Sequence, residues 1–91
     1  MSYRLVFTGQ YEKRARRFLK SHPDLESQYL KTLKLLALNP FHPSLRLHRL
    51  SGRLSTLHSI SITLSYRITL EFLISGNDIV PIDVGDHESV Y

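Results

Sequence analysis

One stretch of alternating residues constrains the fold of this 91-residue chain more than any other feature. From His58 to Phe72, apolar side chains occupy nearly every second position, and serine, threonine, arginine or glutamate fills the positions between them. A period of two predicts β-strand with one apolar face and one polar face. Because the run is longer than most single strands, we expect it to fold back at residues 63–65 into two antiparallel strands.

The first half of the chain changes from strand to helical periodicity. Apolar residues alternate from Tyr3 to Thr8, which predicts an N-terminal strand that Gly9 ends. Two amphipathic helices are predicted next, because apolar side chains then recur every three or four residues. Ser21 and Asp24 lie between the helices and resemble a capping box. The predicted apolar stripe of the second helix contains Leu25, Tyr29, Leu30, Leu33, Leu36 and Ala37.

The second half of the chain carries strand signals. Residues 45–50 predict a short strand, residues 75–78 a hairpin turn, and residues 79–84 a last strand. A proline inside a strand indicates an edge position or an interrupted ladder, and Pro81 is such a residue. The residues predicted to share one face of the last strand are Val80, Ile82 and Val84.

These elements predict one domain spanning residues 1–91 with an α+β fold. An N-terminal strand and a two-helix hairpin precede an antiparallel sheet, in the order β-α-α-β-β-β. The helices are expected to cover the apolar face of the sheet and to leave its polar face open. Arg67 belongs to the polar positions of the alternating run, so we expect it on the floor of an open cleft.

Composition limits the kind of partner and the compartment. Lysine and arginine number 12 against 8 acidic residues, which gives a formal net charge of +4. A basic surface favours a polyanionic partner, either nucleic acid or an acidic protein. The chain has no cysteine, which excludes disulfides and thiolate metal sites and fits a reducing cytoplasm. No signal peptide or membrane span is evident, so we expect a cytoplasmic protein without membrane contact.

The polar face of the predicted first helix is densely basic. Two interpretations of this face remain open. It is either a solvated helix surface or a surface that contacts phosphates or an acidic partner. Its basic residues are Lys13, Arg14, Arg16, Arg17 and Lys20.

The histidines do not form a known metal or hydrolase motif. There is no Ser-His-Asp order, glycine-rich phosphate loop or zinc-ligand spacing, so we expect no cofactor and no metal. His22 and His42 adjoin prolines and are expected to be exposed turn residues. His58 opens the alternating run on its apolar side, which makes a semi-buried or capping role as reasonable as a role in a site.

The C-terminal residues place His87 and Tyr91 four positions apart, just beyond the last predicted strand. Imidazole and phenol groups are well suited to proton transfer near neutral pH. Taken alone, these residues favour a simpler interpretation, in which Val90 and Tyr91 dock the tail and His87 faces solvent.

Together with two other side chains, however, the tail suggests one reaction. Cleavage of RNA by its own 2′-hydroxyl needs a base for the hydroxyl proton, a cation beside the phosphate and an acid for the departing 5′-oxygen. Histidines can share the proton transfers, and arginine fits phosphate geometry. The candidate set is His48, Arg67, His87 and Tyr91, with His58 as a further member.

Three short stretches of sequence follow one another in a characteristic order. Together with the predicted order of helices and strands, they span nearly the whole chain. They are His48-Arg49-Leu50-Ser51-Gly52, Ser65-Tyr66-Arg67-Ile68, and residues 83–91 with the sequence DVGDHESVY. Together they resemble the RelE/ParE toxin superfamily, and most of all its YafQ-type mRNA interferase branch. The resemblance implies the toxin of a type II toxin–antitoxin system, which cuts mRNA on the 70S ribosome. It also implies a cognate antitoxin as partner, through which the complex is expected to bind operator DNA.

The resemblance further implies roles for individual residues. His87 corresponds to a C-terminal catalytic histidine, taken as the general acid, and Tyr91 to an aromatic residue that orients or stacks on the substrate. Arg67 corresponds to the residue that stabilises the phosphate. His48 is a candidate base or phosphate ligand, and His58 falls near a second histidine of the branch across an alignment gap. The arginines that replace the lysine-rich region of the RelE type, and that are expected to bind RNA, are Arg46, Arg49 and Arg53.

The chain also departs from the branch. The aspartate that follows the second histidine there has no clean counterpart, because Ser59, Ser61 and Thr63 fill this stretch. The identity of the general base therefore stays open. Two alternatives to a ribonuclease also remain: a ParE-like inhibitor of DNA gyrase, and an inactive homologue that still binds an antitoxin.

Overall fold

The computed structural model describes residues 3–50, 57–73 and 77–86. Within these ranges the chain forms two α-helices and five β-strands, with short 3₁₀ turns at Pro23–Leu25 and Pro43–Leu45. The helices are α1 (Gly9–Ser21) and α2 (Glu26–Leu38), and the strands are β1 (Arg4–Leu5), β2 (His48–Arg49), β3 (His58–Ser61), β4 (Tyr66–Leu73) and β5 (Asp78–Asp86). The predicted α+β class, with an N-terminal strand and a helical hairpin before the other strands, is confirmed, and four strands follow the helices in these ranges, one more than the order β-α-α-β-β-β contains.

The strands form one mixed sheet in the order β1-β5-β4-β3-β2. Strands β2 to β5 pair antiparallel, as predicted, whereas β1 runs parallel to β5 and places Leu5 beside Ile79. Arg4 supports that junction with hydrogen bonds of 3.1 and 2.9 Å to the carboxylate of Asp78. The short strand predicted at residues 45–50 is present as the two-residue edge strand β2.

The alternating run folds back where the sequence predicts. Strand β3 ends at Ser61 and β4 begins at Tyr66, and the Ile62 N–H donates a hydrogen bond of 2.8 Å to the Tyr66 carbonyl. The hydroxyl of Thr63 accepts hydrogen bonds from the N–H groups of Ser65, at 3.2 Å, and Tyr66, at 3.3 Å. The threonine side chain therefore satisfies backbone donors that the turn removes from the ladder.

Both helices pack on the same face of the sheet. Thr8 starts α1, because its hydroxyl accepts a hydrogen bond of 3.1 Å from the Tyr11 N–H. The apolar stripes of the helices then meet the apolar side of β3, β4 and β5. The core residues are Tyr11, Ala15, Phe18, Tyr29, Leu36, Leu45, Ile60, Ile62, Ile68, Leu70, Ile79 and Val84. In the described part of the chain, no helix is long and apolar enough to cross a membrane.

Two predictions for the helices are wrong. Ser21 and Asp24 form no capping box, because Ser21 is the last residue of α1 and the following 3₁₀ turn has no side-chain cap. Leu30 does not belong to the buried stripe of α2, since 50 % of its surface is exposed. It lies about 100° around the helix from its buried neighbour Tyr29, away from the sheet.

His22 is half-buried and not the exposed turn residue that the adjacent proline suggests. Its ring stacks on Phe18 with 4.6 Å between centroids and meets the ring of Tyr66 at 4.7 Å. Its Nδ1 also lies 3.0 Å from the Phe18 carbonyl oxygen, so the ring forms a hydrogen bond to a carbonyl in the last turn of α1. His42 is exposed, as predicted, and its Nδ1 accepts a hydrogen bond from the Ser44 N–H.

Strand β5 contains a bulge next to its proline. Leu70 of β4 pairs with Pro81, and the preceding Thr69 pairs with Asp83, so Ile82 is an extra residue on β5. The interrupted ladder that Pro81 predicts is therefore present.

The bulge changes which side chains of β5 face the core. The prediction that Val80, Ile82 and Val84 share one face is wrong, because Val80 lies opposite Glu71 on the polar side of the sheet. Arg14 of α1 holds the bulge, since its Nη1 donates a hydrogen bond of 2.9 Å to the Ile82 carbonyl. Arg14 is therefore half-buried, unlike the other basic residues of α1, which are exposed.

Candidate functional site

The polar face of the sheet is a set of cross-strand rows. Residues directly opposite each other in a ladder point to the same side, so the register defines which side chains meet. One row contains His48, Ser59, Thr69 and Asp83, and the next contains Ser61, Arg67 and Gly85. His48 and Arg67 therefore lie on one face, two strands and one row apart, which is roughly 12 Å between their backbones.

Arg67 is the central cation of the polar face. Its side chain is half-buried, and its Nη1 donates a hydrogen bond of 3.1 Å to the hydroxyl of Ser61. Ser61 is its ladder partner on β3, so the strands fix the positions from which both side chains start. Its ladder partner on β5 is Gly85, which has no side chain. A planar guanidinium held in this way suits a phosphate group.

His48 reaches the same face from the edge strand β2. It is exposed, and its Nδ1 lies 3.4 Å from the hydroxyl oxygen of Ser59, which makes a long hydrogen bond. Ser59 is in turn fully buried in β3. Two alternate residues of one strand, Ser59 and Ser61, thus contact the two predicted site residues on that face.

The polar face is not the open floor that the sequence predicts. Ser59, Ser61 and Thr69 are 0 %, 8 % and 3 % exposed. The bonds to His48 and Arg67 account for two of these hydroxyls, whereas the Thr69 hydroxyl has no hydrogen-bond partner among the described residues. The candidate site is therefore a layer of short hydroxyl side chains with a histidine and an arginine above it.

His58 lies on the other face of the sheet, away from Arg67. Its ladder partner on β4 is Leu70, and its ring meets the ring of Phe72 edge-on at 5.1 Å. Burial, followed by the nearby positive charges of Arg49 and His48, lowers the pKa of this imidazole. The structure therefore does not bring His58 together with Arg67, and supports the semi-buried interpretation of this residue.

The other predicted residues are only partly described. Arg46 and Arg49 are both exposed. Arg49 belongs to β2 and is opposite His58, and Arg46 ends the 3₁₀ turn before β2 with a left-handed φ of 51°. In ranges 3–50, 57–73 and 77–86, no three histidine, aspartate or glutamate side chains lie close enough to hold a metal ion. The predicted residues outside the described ranges are Arg53, His87 and Tyr91.

Sequence reasoning gave no role to the hydroxyls of Ser59 and Ser61. The available signal was their position, since both fall on the polar side of the alternating run together with Arg67. The pattern indicates a shared face, but only the pairing of β3 with β2 and β4 shows which hydroxyl meets which side chain.

A second surface lies on the helical side of the molecule. Two adjoining apolar hollows, of about 300 and 350 Å³, run along the helices and share Phe7 and Leu33. Phe7 and Leu30 are exposed there, and the charged residues of the lining are Arg16, Lys34 and Glu12, which leaves a positive balance. Exposed apolar surface with basic residues in its lining is typical of a site that contacts another protein.

Comparison with known proteins adds the fold relationship. No family model and no curated protein matches the sequence. The structure is similar to YafQ from E. coli strain BL21(DE3), with a TM-score of 0.78 and 14 % identity over 98 % of both chains. It is similar to the YoeB/ParE toxin from Agrobacterium tumefaciens, with a TM-score of 0.73 and 17 % identity over 92 % of this chain and 98 % of that chain.

A third likeness is to a chain of the E. coli DinJ–YafQ toxin–antitoxin complex, with a TM-score of 0.77 and 16 % identity over 100 % of this chain and 99 % of that chain. At such identities the likeness is one of fold. It agrees with the features described above, namely two helices on one face of a five-stranded mixed sheet. The chain therefore has the fold that is seen in YafQ and in the YoeB/ParE toxin.

Proposed function

We propose that this protein is the toxin of a type II toxin–antitoxin system and that it cleaves mRNA on the ribosome. The observation that carries the proposal is the placement of His48 and Arg67 on one face of a sheet with the RelE/ParE-like fold. The net charge of +4 suits an RNA substrate. In the proposed reaction the RNA's own 2′-oxygen bonds to the adjacent phosphorus, and the bond to the 5′-oxygen breaks.

Each step of that reaction needs a group of stated chemistry. A base removes the proton of the 2′-hydroxyl, and an acid delivers a proton to the leaving 5′-oxygen. An imidazole has an ordinary pKa near 6.5, which suits both roles. We assign His87 as the general acid and His48 as the base or a phosphate ligand. Arg67 stabilises the negative charge that develops on the phosphate oxygens.

Strand β5 supports the assignment of His87. Gly85 is opposite Arg67, and Asp86, the last residue of the strand, directly precedes His87 in the sequence. In this proposal Tyr91 stacks on a base of the substrate, as an aromatic side chain can do with any nucleobase.

The basic residues around β2 bind the RNA backbone in this proposal. Arg46 is exposed two residues before His48, and Arg49 is exposed on the edge strand itself, on the side of its ladder partner His58, so both add positive charge along the sheet edge. Arg53 is proposed to continue this surface. His58 receives no catalytic role, because it lies on the helix-covered face.

The inhibitory partner is proposed to be a cognate antitoxin. The exposed apolar hollows along α1 and α2, with basic residues in their lining, support binding of an acidic, partly apolar protein segment. The similar fold in the DinJ–YafQ complex is that of a toxin solved with its antitoxin. In this proposal the antitoxin also carries the complex to operator DNA.

The proposal is tested with purified protein, 70S ribosomes and a defined mRNA in a reconstituted translation reaction. Cleavage is mapped by primer extension for the wild type, Arg67→Ala, His87→Ala and His42→Ala. We expect Arg67→Ala and His87→Ala to slow cleavage roughly 10²–10³-fold, as loss of a group that stabilises or protonates the reacting atoms does. His42→Ala serves as the matched histidine control, because His42 is exposed beside a 3₁₀ turn.

Each other outcome has a defined meaning. Equal cleavage by the wild type and His87→Ala would refute the assignment of His87 as the acid. Intact mRNA together with inhibition of DNA supercoiling by gyrase would replace the proposal with a ParE-like activity. A folded wild-type protein that does neither, and that leaves growth unaffected when expressed without an antitoxin, would identify an inactive homologue.

A further inference from the structure

We propose that Ser61 is a positioning residue for Arg67. Its hydroxyl holds the guanidinium in the orientation in which it meets the phosphate of the substrate. The inference rests on the proposed ribonuclease function, and it assigns a role within that site to a residue that touches neither substrate nor reacting atoms.

The contact between the two side chains is fixed from both strands. Ser61 and Arg67 are direct ladder partners, and the Arg67 Nη1 donates a hydrogen bond of 3.1 Å to the Ser61 oxygen. The serine is 8 % exposed, so its short side chain has little freedom to move away. Because a guanidinium is planar, a bond to one terminal nitrogen restricts the plane in which its other N–H groups point.

The two ladder partners of Arg67 differ in what they offer its side chain. The ladder partner on β5 is Gly85, which offers no side chain against which the arginine can pack. Of these two ladder partners, Ser61 is the one with a side chain, and that side chain accepts a hydrogen bond from Arg67.

The chemistry of a hydroxyl suits this task. Ser61 accepts a hydrogen bond but adds no negative charge beside the guanidinium. An aspartate in its place would also accept the bond, but it would form an ion pair that competes with a phosphate for the same cation. A serine thus restricts the arginine while leaving its attraction for the substrate undiminished.

The surroundings of Ser61 allow the idea to be tested without unfolding the protein. Ser61 is not a member of the apolar core cluster, and its hydroxyl lies on the face of the sheet that holds Arg67, away from the helices. Removing the hydroxyl takes away the hydrogen bond to Arg67 and leaves the apolar core intact. We therefore expect Ser61→Ala to fold, which thermal unfolding measures directly.

The experiment compares single-turnover cleavage rates of Ser61→Ala, Ser61→Thr and Ser61→Asp in the reconstituted assay. We expect Ser61→Ala to lower the rate about 10-fold, Ser61→Asp to lower it about 10²-fold, and Ser61→Thr, which keeps the hydroxyl, to stay within about 3-fold of the wild type. Ser65→Ala is the matched control, because Ser65 is an exposed serine of the β3–β4 turn.

A double-mutant cycle shows whether Ser61 acts through Arg67. Once Arg67 is alanine, Ser61→Ala should change the rate less than about 2-fold. An equal loss in both backgrounds would overturn the proposal, and so would an unchanged rate for Ser61→Ala in a protein that cleaves normally. Absence of cleavage by the wild type would instead refute the proposed function itself.

A second readout does not depend on catalysis. Nuclear magnetic resonance reports the rotation of the Arg67 guanidinium about its terminal C–N bonds in the free protein. We expect slow rotation in the wild type and in Ser61→Thr, and faster rotation in Ser61→Ala. Identical rotation in the wild type and Ser61→Ala would show that another contact holds the guanidinium, and would also overturn the proposal.

Discussion

The hydrogen bond between the hydroxyls of Tyr11 and Tyr29 joins the two helices and allows a quantitative test of their packing. The oxygens are 2.8 Å apart, and the residues are 1 % and 4 % exposed. Burial is the main cause that raises the pKa of both phenols above the ordinary value. Both hydroxyls therefore stay protonated in any assay near neutral pH, so that one donates and the other accepts.

The perturbation is removal of each hydroxyl separately and then of both. Tyr29→Phe leaves the Tyr11 hydroxyl buried without its partner, and Tyr11→Phe does the reverse. An unsatisfied buried hydroxyl costs about 1–3 kcal/mol. Because both residues line the open hollow along the helices, water can partly replace the partner, and we expect about 1–2 kcal/mol for each single change.

The double substitution removes both polar groups, so no hydroxyl is left unsatisfied. Its expected cost is that of one net hydrogen bond, about 1 kcal/mol. The losses of Tyr11→Phe and Tyr29→Phe should therefore sum to clearly more than the loss of the double variant, with a coupling free energy of about 1–3 kcal/mol.

Urea unfolding, followed by circular dichroism at the helical band, measures these free energies. For a domain of this size, a loss of 1 kcal/mol should also lower Tm by about 4–8 °C. Tyr3→Phe is the control for a tyrosine hydroxyl outside the pair, and its effect should stay within about 0.5 kcal/mol. Additive losses for Tyr11 and Tyr29, within about 0.5 kcal/mol, would refute the reasoning.

Three further predictions follow from other contacts. Arg14→Ala should destabilise the protein by about 1–2 kcal/mol in urea unfolding, because it removes the donor to the bulge carbonyl, whereas Arg17→Ala, on the exposed side of α1, should cost less than about 0.5 kcal/mol. The folded pKa of His58 is lowered, so stability should fall as the pH drops below about 6.5 toward that folded pKa; His58→Gln should flatten this dependence, and an unchanged pH slope would contradict the prediction. Leu30→Glu should weaken antitoxin binding in calorimetry without changing Tm, while Leu38→Glu, at an exposed position outside the apolar hollows, should leave binding unchanged.

Local patterns were sufficient to predict the β3–β4 hairpin and the two helices. The alternation between His58 and Phe72 is strict enough to define both faces, and the turn at Thr63 uses a side chain with known turn chemistry. The same alternation places Arg67 on the polar face of β4 and its neighbours Ile68 and Leu70 on the apolar face.

Features that depend on distant pairing were not predictable from these patterns. Strand β1 has two residues, and nothing in Arg4-Leu5 indicates a parallel partner at Asp78. Pro81 does signal an interrupted ladder, but which residue becomes extra depends on how β4 pairs with both sides of the bulge. The predicted face of Val80 was wrong for this reason.

The candidate site also contains features that local patterns predict and features that depend on distant pairing. The shared face of Arg67 and Ser61 is contained in the alternation, whereas the contact between Ser59 and His48 requires the pairing of an edge strand of two residues. Burial of the hydroxyls could not be read from the sequence either, because short polar side chains become buried only through the longer side chains around them. The apolar position of His58 in the run predicted its location on the apolar face, beside Phe72, whereas its suitability for catalysis did not.

The parallel pairing of β1 with β5 also has a consequence for the order of events during synthesis. The hydrogen bonds between Arg4 and Asp78 join residues separated by 74 positions, so the first strand emerges long before its neighbour exists. At a synthesis rate of 5–20 residues per second, that interval is about 4–15 s. The face that holds Arg67 is flanked by β5 as well, so a nascent chain completes this face only after the residues of β5, Asp78–Asp86, have been added. A ribosome that makes this protein thus synthesises both helices and the first four strands before the chain can acquire the proposed activity.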